Sequence, residues 1–278
     1  MHTIGFIGTG SMGRILIEAY ANAEGTNQSH IVIHNRTREK AEDIKRDYPD
    51  IKVADSAEDV AKQADFIFIC AKPLQIIPLL QSINTSLHKD KMIISITSPI
   101  TVDELEEVVS CKAARFIPSI TNRALAGSSL ITYGSRLGKK DQENLWSLAE
   151  KISQPIVIDD SITRVSSDIV SCGPAFFSFL LEDFIQAATQ QTNISEYEAR
   201  KLTSDMMIGF ATLLSDEHFT LSSLQERVSV PGGVTGKGLD VLRGQVGSMF
   251  HDLFIATHEK YAHDRAQIQE QVNALNKS

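Results

Sequence analysis

The chain has 278 residues, 42% of them hydrophobic and 22% charged, and carries a formal net charge of −8. That length supports one large globular domain or two ordinary ones, with a core that needs no disulfide or metal staples. The acidic balance argues against a nucleic-acid partner, because neutralising a phosphate backbone takes a basic face. No apolar run reaches membrane-spanning length, so no membrane association is expected.

The first strand-like run, Thr3–Gly8, begins almost at Met1, and no secretory leader is expected ahead of it. It leads directly into Gly8-Thr9-Gly10-Ser11-Met12-Gly13 and then a helical pattern over Met12–Ala23. A glycine turn between a strand and a helix brings backbone N–H groups, and the positive end of the helix, up to a pyrophosphate. This context marks a dinucleotide fold, which an isolated GxGxxG would not.

Further strand-like segments follow at His30–His34, Ile51–Ala54, Asp65–Cys70, Lys91–Ile96, Ala113–Ile117, Ser129–Tyr133 and Pro155–Ile158. Helical patterns lie between them at Arg38–Tyr48, Ala57–Gln63, Thr101–Ser110 and Lys139–Ile152. Near-continuous apolar runs such as Phe66-Ile67-Phe68-Ile69 suit strands covered on both faces. The alternation predicts an α/β Rossmann domain over residues 1–160, with a mostly parallel sheet between two helical layers.

After Asp159-Asp160 no convincing strand appears, and residues 161–278 read as an all-α domain. Phe176–Ala188 is apolar around its whole circumference, so it must be buried on most sides. A terminal helical region of this size can hardly cover it alone. An intertwined dimer sharing this helix is therefore expected, and the other option is a central helix in a monomer. The last helix, about Val246–Asn276, turns polar after Lys260 and is expected to end at the surface.

Three loops carry candidate chemistry in the first domain. Asn35-Arg36-Thr37 ends the second strand, where an NAD site usually has a carboxylate for the ribose. An amide, a guanidinium and a hydroxyl favour a 2′-phosphate and hence NADPH over NADH. An Asn-initiated turn with Thr37 capping the next helix is a compatible alternative. Cys70-Ala71-Lys72-Pro73 follows the fourth strand, with Lys72 placed to reach cofactor ribose or phosphates and Pro73 placed to start a helix. Ile96-Thr97-Ser98 follows the fifth strand, and its small polar side chains leave room for a nicotinamide.

In the helical domain, Pro231-Gly232-Gly233-Val234-Thr235-Gly236-Lys237-Gly238 has four glycines in eight residues, followed by helical spacing from Leu239. Backbone N–H groups at such a turn make a carboxylate pocket, and Thr235 offers one directed hydrogen bond. Cys70, Cys111 and Cys172 are far apart and show no metal-ligand or disulfide spacing, so no metal is expected and a reducing cytoplasm is the simplest home. His251 and His258 read as ordinary helix residues.

Taken in order, Gly8–Gly13, Asn35-Arg36-Thr37, Ala71-Lys72-Pro73, Gly173-Pro174-Ala175-Phe176 and Pro231-Gly232-Gly233-Val234-Thr235 resemble the motifs of the pyrroline-5-carboxylate reductase family over nearly the full chain. Ser95–Pro99 and Ile117–Gly127 resemble its late-competence, ComER-like branch. The resemblance implies a Rossmann domain, a helical dimerisation domain, and assembly into dimers or rings of dimers. It implies reduction of the cyclic imine 1-pyrroline-5-carboxylate to proline by NAD(P)H. Thr235 would bond near the imine nitrogen, Gly233, Val234 and Thr235 would hold the carboxylate, and the nicotinamide would lie near Ala71–Pro73 and Ile96–Ser98. A protonated imine is already electrophilic, so the protein mainly has to position it.

The chain departs from the family pattern at four places. Val230 stands for a serine, Ile120-Thr121-Asn122 for Met-Pro-Asn, Ser171-Cys172 for Gly-Ser, and Pro118 for an arginine. Most of these changes fall near the expected substrate or nicotinamide side. They favour a second class of function, a dinucleotide-binding regulatory or scaffold protein with weak or no reductase activity. A β-hydroxyacid dehydrogenase would need a lysine on the interdomain helix, and none lies between Lys151 and Lys201.

Overall fold

A computed structural model of the protein describes residues 2–275. Two compact units emerge: the chain up to Pro174 together with the segment from Ala256 onward, and Ala175–Ile255.

The first unit is built on one eight-stranded sheet. Its strands are β1 (Ile4–Ile7), β2 (Ile31–His34), β3 (Lys52–Val53), β4 (Phe66–Ile69), β5 (Met92–Ser95), β6 (Lys112–Ile117), β7 (Ser128–Tyr133) and β8 (Gln154–Val157). They run in the order β3-β2-β1-β4-β5-β6-β7-β8. All neighbours are parallel except β6 and β7. The connection from Ile117 to Ser128 is too short for a crossover, so β7 returns antiparallel.

Helices α1 (Ser11–Asn22), α2 (Arg38–Asp47), α3 (Ala57–Gln63), α4 (Pro73–Ile83), α5 (Val102–Val108) and α6 (Lys139–Glu150) cover the two faces. Strand alternation sends Phe6, Phe68, Ile94 and Phe116 into one core with Leu16, Tyr20 and Leu145. Ile7, Ile67, Ile69 and Ile93 enter the other with Val60, Ile76 and Leu105. In the first core Phe6 stacks on Phe68 at 5.0 Å, and Phe116 meets Phe68 edge-on at 5.8 Å.

Helix α4 starts at Pro73, as expected, and runs through an exposed Pro78. Its apolar stripe Ile76, Ile77, Leu80 and Ile83 is buried, and this burial outweighs the local cost of the proline.

Beyond β8 come α7 (Thr163–Ser167), a π-helical turn (Asp168–Cys172) and α8 (Gly173–Gln191). The second unit adds α9 (Glu196–Ser215), α10 (Leu221–Val228) and α11 (Val234–Val246), and α12 spans Met249–Leu275. The last helix, expected from about Val246, begins at Met249 instead, separated from α11 by a break at Gly247, where φ is +44°. The helix following the glycine-rich turn starts at Val234 rather than Leu239. Asn276 lies outside the described residues.

The last helix is exposed at Asn273 and Ala274 near its end. Ile268 and Val272, one turn apart on a polar helix, are nevertheless buried in the second core. Two apolar residues at i and i+4 suffice to seat one face of a helix that is otherwise polar. Within the second unit, α8 is not the covered core of a monomer, because Phe177, Phe179 and Phe184 are 58%, 73% and 62% exposed. Among the described residues no helix is long and apolar enough to cross a membrane.

Candidate functional site

Strand order reverses at β1, whose neighbours are β2 and β4, so a crevice opens beyond the carboxyl ends of these strands. The registers Ile7↔His34 and Ile7↔Ile69 bring the three following loops to one level. Gly8 has φ +107°, and a Cβ there would lie 2.4 Å from the Cys70 carbonyl oxygen. A Cβ on Gly13 would lie 2.3 Å from the Gly8 carbonyl oxygen, so both positions exclude any side chain. A Cβ on Gly10 would meet nothing within 4 Å and would project into open space. Gly10 is the N-cap of α1 and supplies no side-chain bond, which leaves the first-turn N–H groups free for an anion.

Asn35 shapes this turn: its Oδ1 accepts the Thr9 N–H at 3.0 Å, and its Nδ2 donates to the Thr37 carbonyl at 2.9 Å. Thr37 occupies the N-cap of α2 but makes no side-chain capping bond, so the capping alternative for this residue does not hold. Thr9 Oγ1 is buried without a partner among the described residues. The Cys70 thiol borders the groove, and burial pushes its pKa up, keeping it protonated.

The groove has a volume of about 520 Å³. It is lined by the glycine turn, by Asn35, Arg36 and Thr37, and by Cys70, Ala71 and Lys72. Lys40, which the sequence reading did not single out, also lines it. Among the described residues no Asp or Glu lines this groove, in a chain of net charge −8. Arg38 is paired with Glu42 and Asp55 instead. Leu74, Pro78 and Leu79 supply an apolar wall on one side.

A second cavity, about 290 Å³, lies along the same rim and is lined by Met12, Pro73, Ile96, Thr97, Ser98 and Pro118, with Ser167 and Ser171 of the π-turn region. Two departures from the family pattern meet here, since the Ser171 hydroxyl donates to the Pro118 carbonyl at 2.6 Å. A third, Cys172, accepts a long contact from Arg164 Nη2 at 3.6 Å. Burial raises the Cys172 thiol pKa, and the Arg164 charge partly offsets this. Thr121 lies apart from this pair, with its N–H donating to Ser119 Oγ at 3.3 Å.

Sequence reasoning missed the side chains behind this rim. Arg115 is 1% exposed on β6, and its guanidinium reaches Ser98, Ile100, Thr132, Asp160 and Thr163. The signal was an arginine inside an apolar strand, since a buried charge must be paired. Arg164 donates to the buried Asp168 at 2.8 Å, and Asp168 also accepts from the Thr257 hydroxyl at 2.8 Å.

Gly233, Val234 and Thr235 belong to the second unit. Gly233 is the N-cap of α11 and provides no side-chain bond, and its N–H donates to the Val230 carbonyl at 2.9 Å. A Cβ on Gly233 would lie 2.8 Å from Val230 Cγ2, so the turn packs tightly on the residue that replaces the family serine. Val234 is 89% exposed, and Thr235 is exposed as well. Chemically, the turn offers uncapped helix N–H groups beside one hydroxyl.

The geometry agrees with comparisons to known proteins. Residues 3–99 match the family model described as NADP oxidoreductase coenzyme F420-dependent. Residues 160–264 match the pyrroline-5-carboxylate reductase dimerisation model. ComE operon protein 4 of Bacillus subtilis is 48% identical over 268 residues, covering 96% of this chain and 98% of that protein. Pyrroline-5-carboxylate reductase 3 of the same organism is 28% identical over 94% of this chain and 96% of its own length. Among solved structures, the Plasmodium falciparum pyrroline carboxylate reductase with NADP bound shares the fold, with a TM-score of 0.82 at 21% identity over 95% of this chain and 97% of that chain. The glycine turn, the order of the sheet and the helical second unit thus have a common explanation: the chain belongs to the pyrroline-5-carboxylate reductase family and has the fold of its NAD(P)-dependent oxidoreductases.

Proposed function

We propose that the protein is an NADPH-dependent reductase of a cyclic imine, with 1-pyrroline-5-carboxylate as substrate and proline as product. The observation that carries the reading is the groove beyond β1 and β4, where among the described residues Arg36, Lys40 and Lys72 share the lining with no carboxylate and the glycine turn leaves helix N–H groups uncapped. That donor set fits a dinucleotide pyrophosphate, with Arg36 and Lys40 on a 2′-phosphate. The open space at Gly10 and the orphaned Thr9 hydroxyl fit the same ligand.

NADPH, when bound, supplies a hydride to the carbon of the C=N bond. The chain's residues do the rest. Ile96, Thr97 and Ser98 would border the nicotinamide, the turn at Gly233, Val234 and Thr235 would hold the carboxylate, and Thr235 would bond at the ring nitrogen, as the family resemblance implies. An imine nitrogen that entered protonated would already carry its proton, and taking up the electron pair of the C=N bond would leave it a neutral amine. No strong acid is required of the protein. We assign cofactor binding to residues 1–160, and dimerisation with substrate binding to 161–278.

The exposed Phe177, Phe179 and Phe184 of α8 support a homodimer that covers this helix. Cys70, Cys111 and Cys172 are all free, as suits a reducing cytoplasm.

A second reading, a dinucleotide-binding regulatory protein linked to competence with weak or no reductase activity, is favoured by the Ser171–Pro118 bond on the substrate side. Purified protein given pyrroline-5-carboxylate and NADPH separates the two. Turnover supports the reductase, and NADPH binding without turnover replaces it with the second reading.

A further inference from the structure

The loop after β5 is held from behind to an unusual degree. Its backbone carbonyls accept side-chain bonds at three consecutive residues. Arg115 Nη1 donates to Ser98 O at 3.4 Å and to Ile100 O at 3.2 Å. Tyr261 Oη donates to Ser98 O at 3.3 Å, and Arg265 Nη1 donates to Pro99 O at 2.8 Å. Arg164 Nη1 donates to Ser98 Oγ at 3.4 Å, with its guanidinium 5.7 Å from the centre of the Tyr261 ring. Each of the three arginines is itself fixed by one carboxylate: Arg115 by Asp160, Arg164 by Asp168 and Arg265 by Glu104.

Ser98 and Pro99 form a partition. On one side lies the 290 Å³ cavity with Met12, Ile96 and Thr97. On the other lies a 340 Å³ cavity with Arg164 and Tyr261. A short loop with no ladder of its own would be mobile, but this one is braced by guanidinium donors, which make stronger bonds than neutral groups.

We propose that Tyr261 and Arg265, on the last helix, are positioning residues for the nicotinamide ring. They brace the Ser98–Pro99 partition from the side opposite the ring, so the last helix and the sheet together set where the ring sits. The inference rests on the cofactor reading above. Hydride transfer is sensitive to ångström-scale misplacement, which gives such bracing a chemical use.

The test uses two ligands on the full chain. NADPH reports both halves of the groove, and adenosine 2′,5′-bisphosphate reports the half that Tyr261 and Arg265 do not approach. Tyr261→Phe removes one hydrogen bond, and Arg265→Ala removes the brace on Pro99. Each is expected to weaken NADPH binding by about three- to tenfold and to reduce the fluorescence gain of the bound nicotinamide. Adenosine 2′,5′-bisphosphate affinity stays at the wild-type value. Glu104→Gln, which loses the ion pair that fixes Arg265, is expected to weaken NADPH binding in the same direction as Arg265→Ala but by less, with adenosine 2′,5′-bisphosphate affinity again at the wild-type value. Equal loss of both ligands in Tyr261→Phe would mean a merely structural role, and no loss of either would also overturn the inference. If the wild-type chain binds no NADPH, the cofactor reading itself falls, and this inference falls with it.

Discussion

The Ser171 hydroxyl donates to the carbonyl oxygen of Pro118 at 2.6 Å, tying the π-helical turn to the chain just beyond β6. Both residues stand where the family pattern has others, so two departures far apart in sequence form one contact. They line the same cavity, next to Thr97 and Ser98. The two departures thus form one self-consistent contact in the wall of this cavity.

Ser171→Ala should therefore destabilise the fold by about 0.5–1.5 kcal/mol, the net worth of one hydrogen bond. Ser171 does not line the groove at Arg36, Lys40 and Lys72, so affinity for adenosine 2′,5′-bisphosphate should not change. Urea denaturation and a titration with that ligand on the same variant check the two halves of this expectation. A weakened affinity for it would contradict the expectation.

Gly8 and Gly10 should respond differently to alanine. Gly8→Ala meets a positive φ and the Cys70 carbonyl, and should cost more than about 2 kcal/mol of stability. Gly10 has φ −66°, which alanine adopts freely, and faces open space. Gly10→Ala should cost less than about 1 kcal/mol, yet lower NADPH affinity by more than about tenfold by filling the space a pyrophosphate needs. Thermal melts paired with titrations decide this. Unchanged affinity in a folded Gly10→Ala would remove the pyrophosphate from this turn.

Arg36→Ala should raise the NADPH dissociation constant by about tenfold or more, the loss of one charge-assisted phosphate contact. Lys40→Ala should act in the same direction. NADH, which lacks the 2′-phosphate, should be affected little by either change. Equal losses for both cofactors would refute the assigned role.

Thr235→Ala should lower kcat with pyrroline-5-carboxylate much more than it changes NADPH affinity. Thr235 is exposed in the second unit, so its replacement should leave the melting temperature near the wild-type value. Steady-state kinetics and direct cofactor titration separate the two effects. A turnover equal to wild type would remove Thr235 from the chemistry.

The pH dependence of stability has a definite sign on the alkaline side. Burial raises the thiol pKa of Cys70, Cys111 and Cys172 above the ordinary 9.0, and that of the Tyr20 hydroxyl above 10.0. In the unfolded chain these groups release protons near their ordinary values, whereas in the folded chain they keep them. Above about pH 9 the folded state holds more protons, so the unfolding free energy falls as pH rises. The stability due to these groups is complete below their unfolded pKa values and is lost on going upward, at about 1.4 kcal/mol per pH unit for each fully ionised group. Urea midpoints at about pH 7.5, 9 and 10 check this, and a midpoint that held or rose would contradict it.

Much of the fold was legible in sequence because its signals are local. Phe66–Ile69 and Met92–Ser95 read as buried strands from their apolar runs, and Gly8–Gly13 read as a phosphate turn from its place between a strand and a helix. The start of α4 at Pro73 was legible in the same way. The burial of Ile268 and Val272 was not, because it depends on a core built from the first half of the chain.

By itself the sequence determined the strand-helix alternation, the dinucleotide turn and the apolar character of α8, because each depends on periodicity or residue type within a short window. Only the tertiary structure decided that Asn35 holds the glycine turn, that Lys40 joins Arg36, and that Ser171 meets Pro118. It alone revealed that Arg115, Tyr261 and Arg265 converge on Ser98–Ile100. Those partners lie up to 166 positions apart, and a hydrogen bond of that range leaves no local pattern to read.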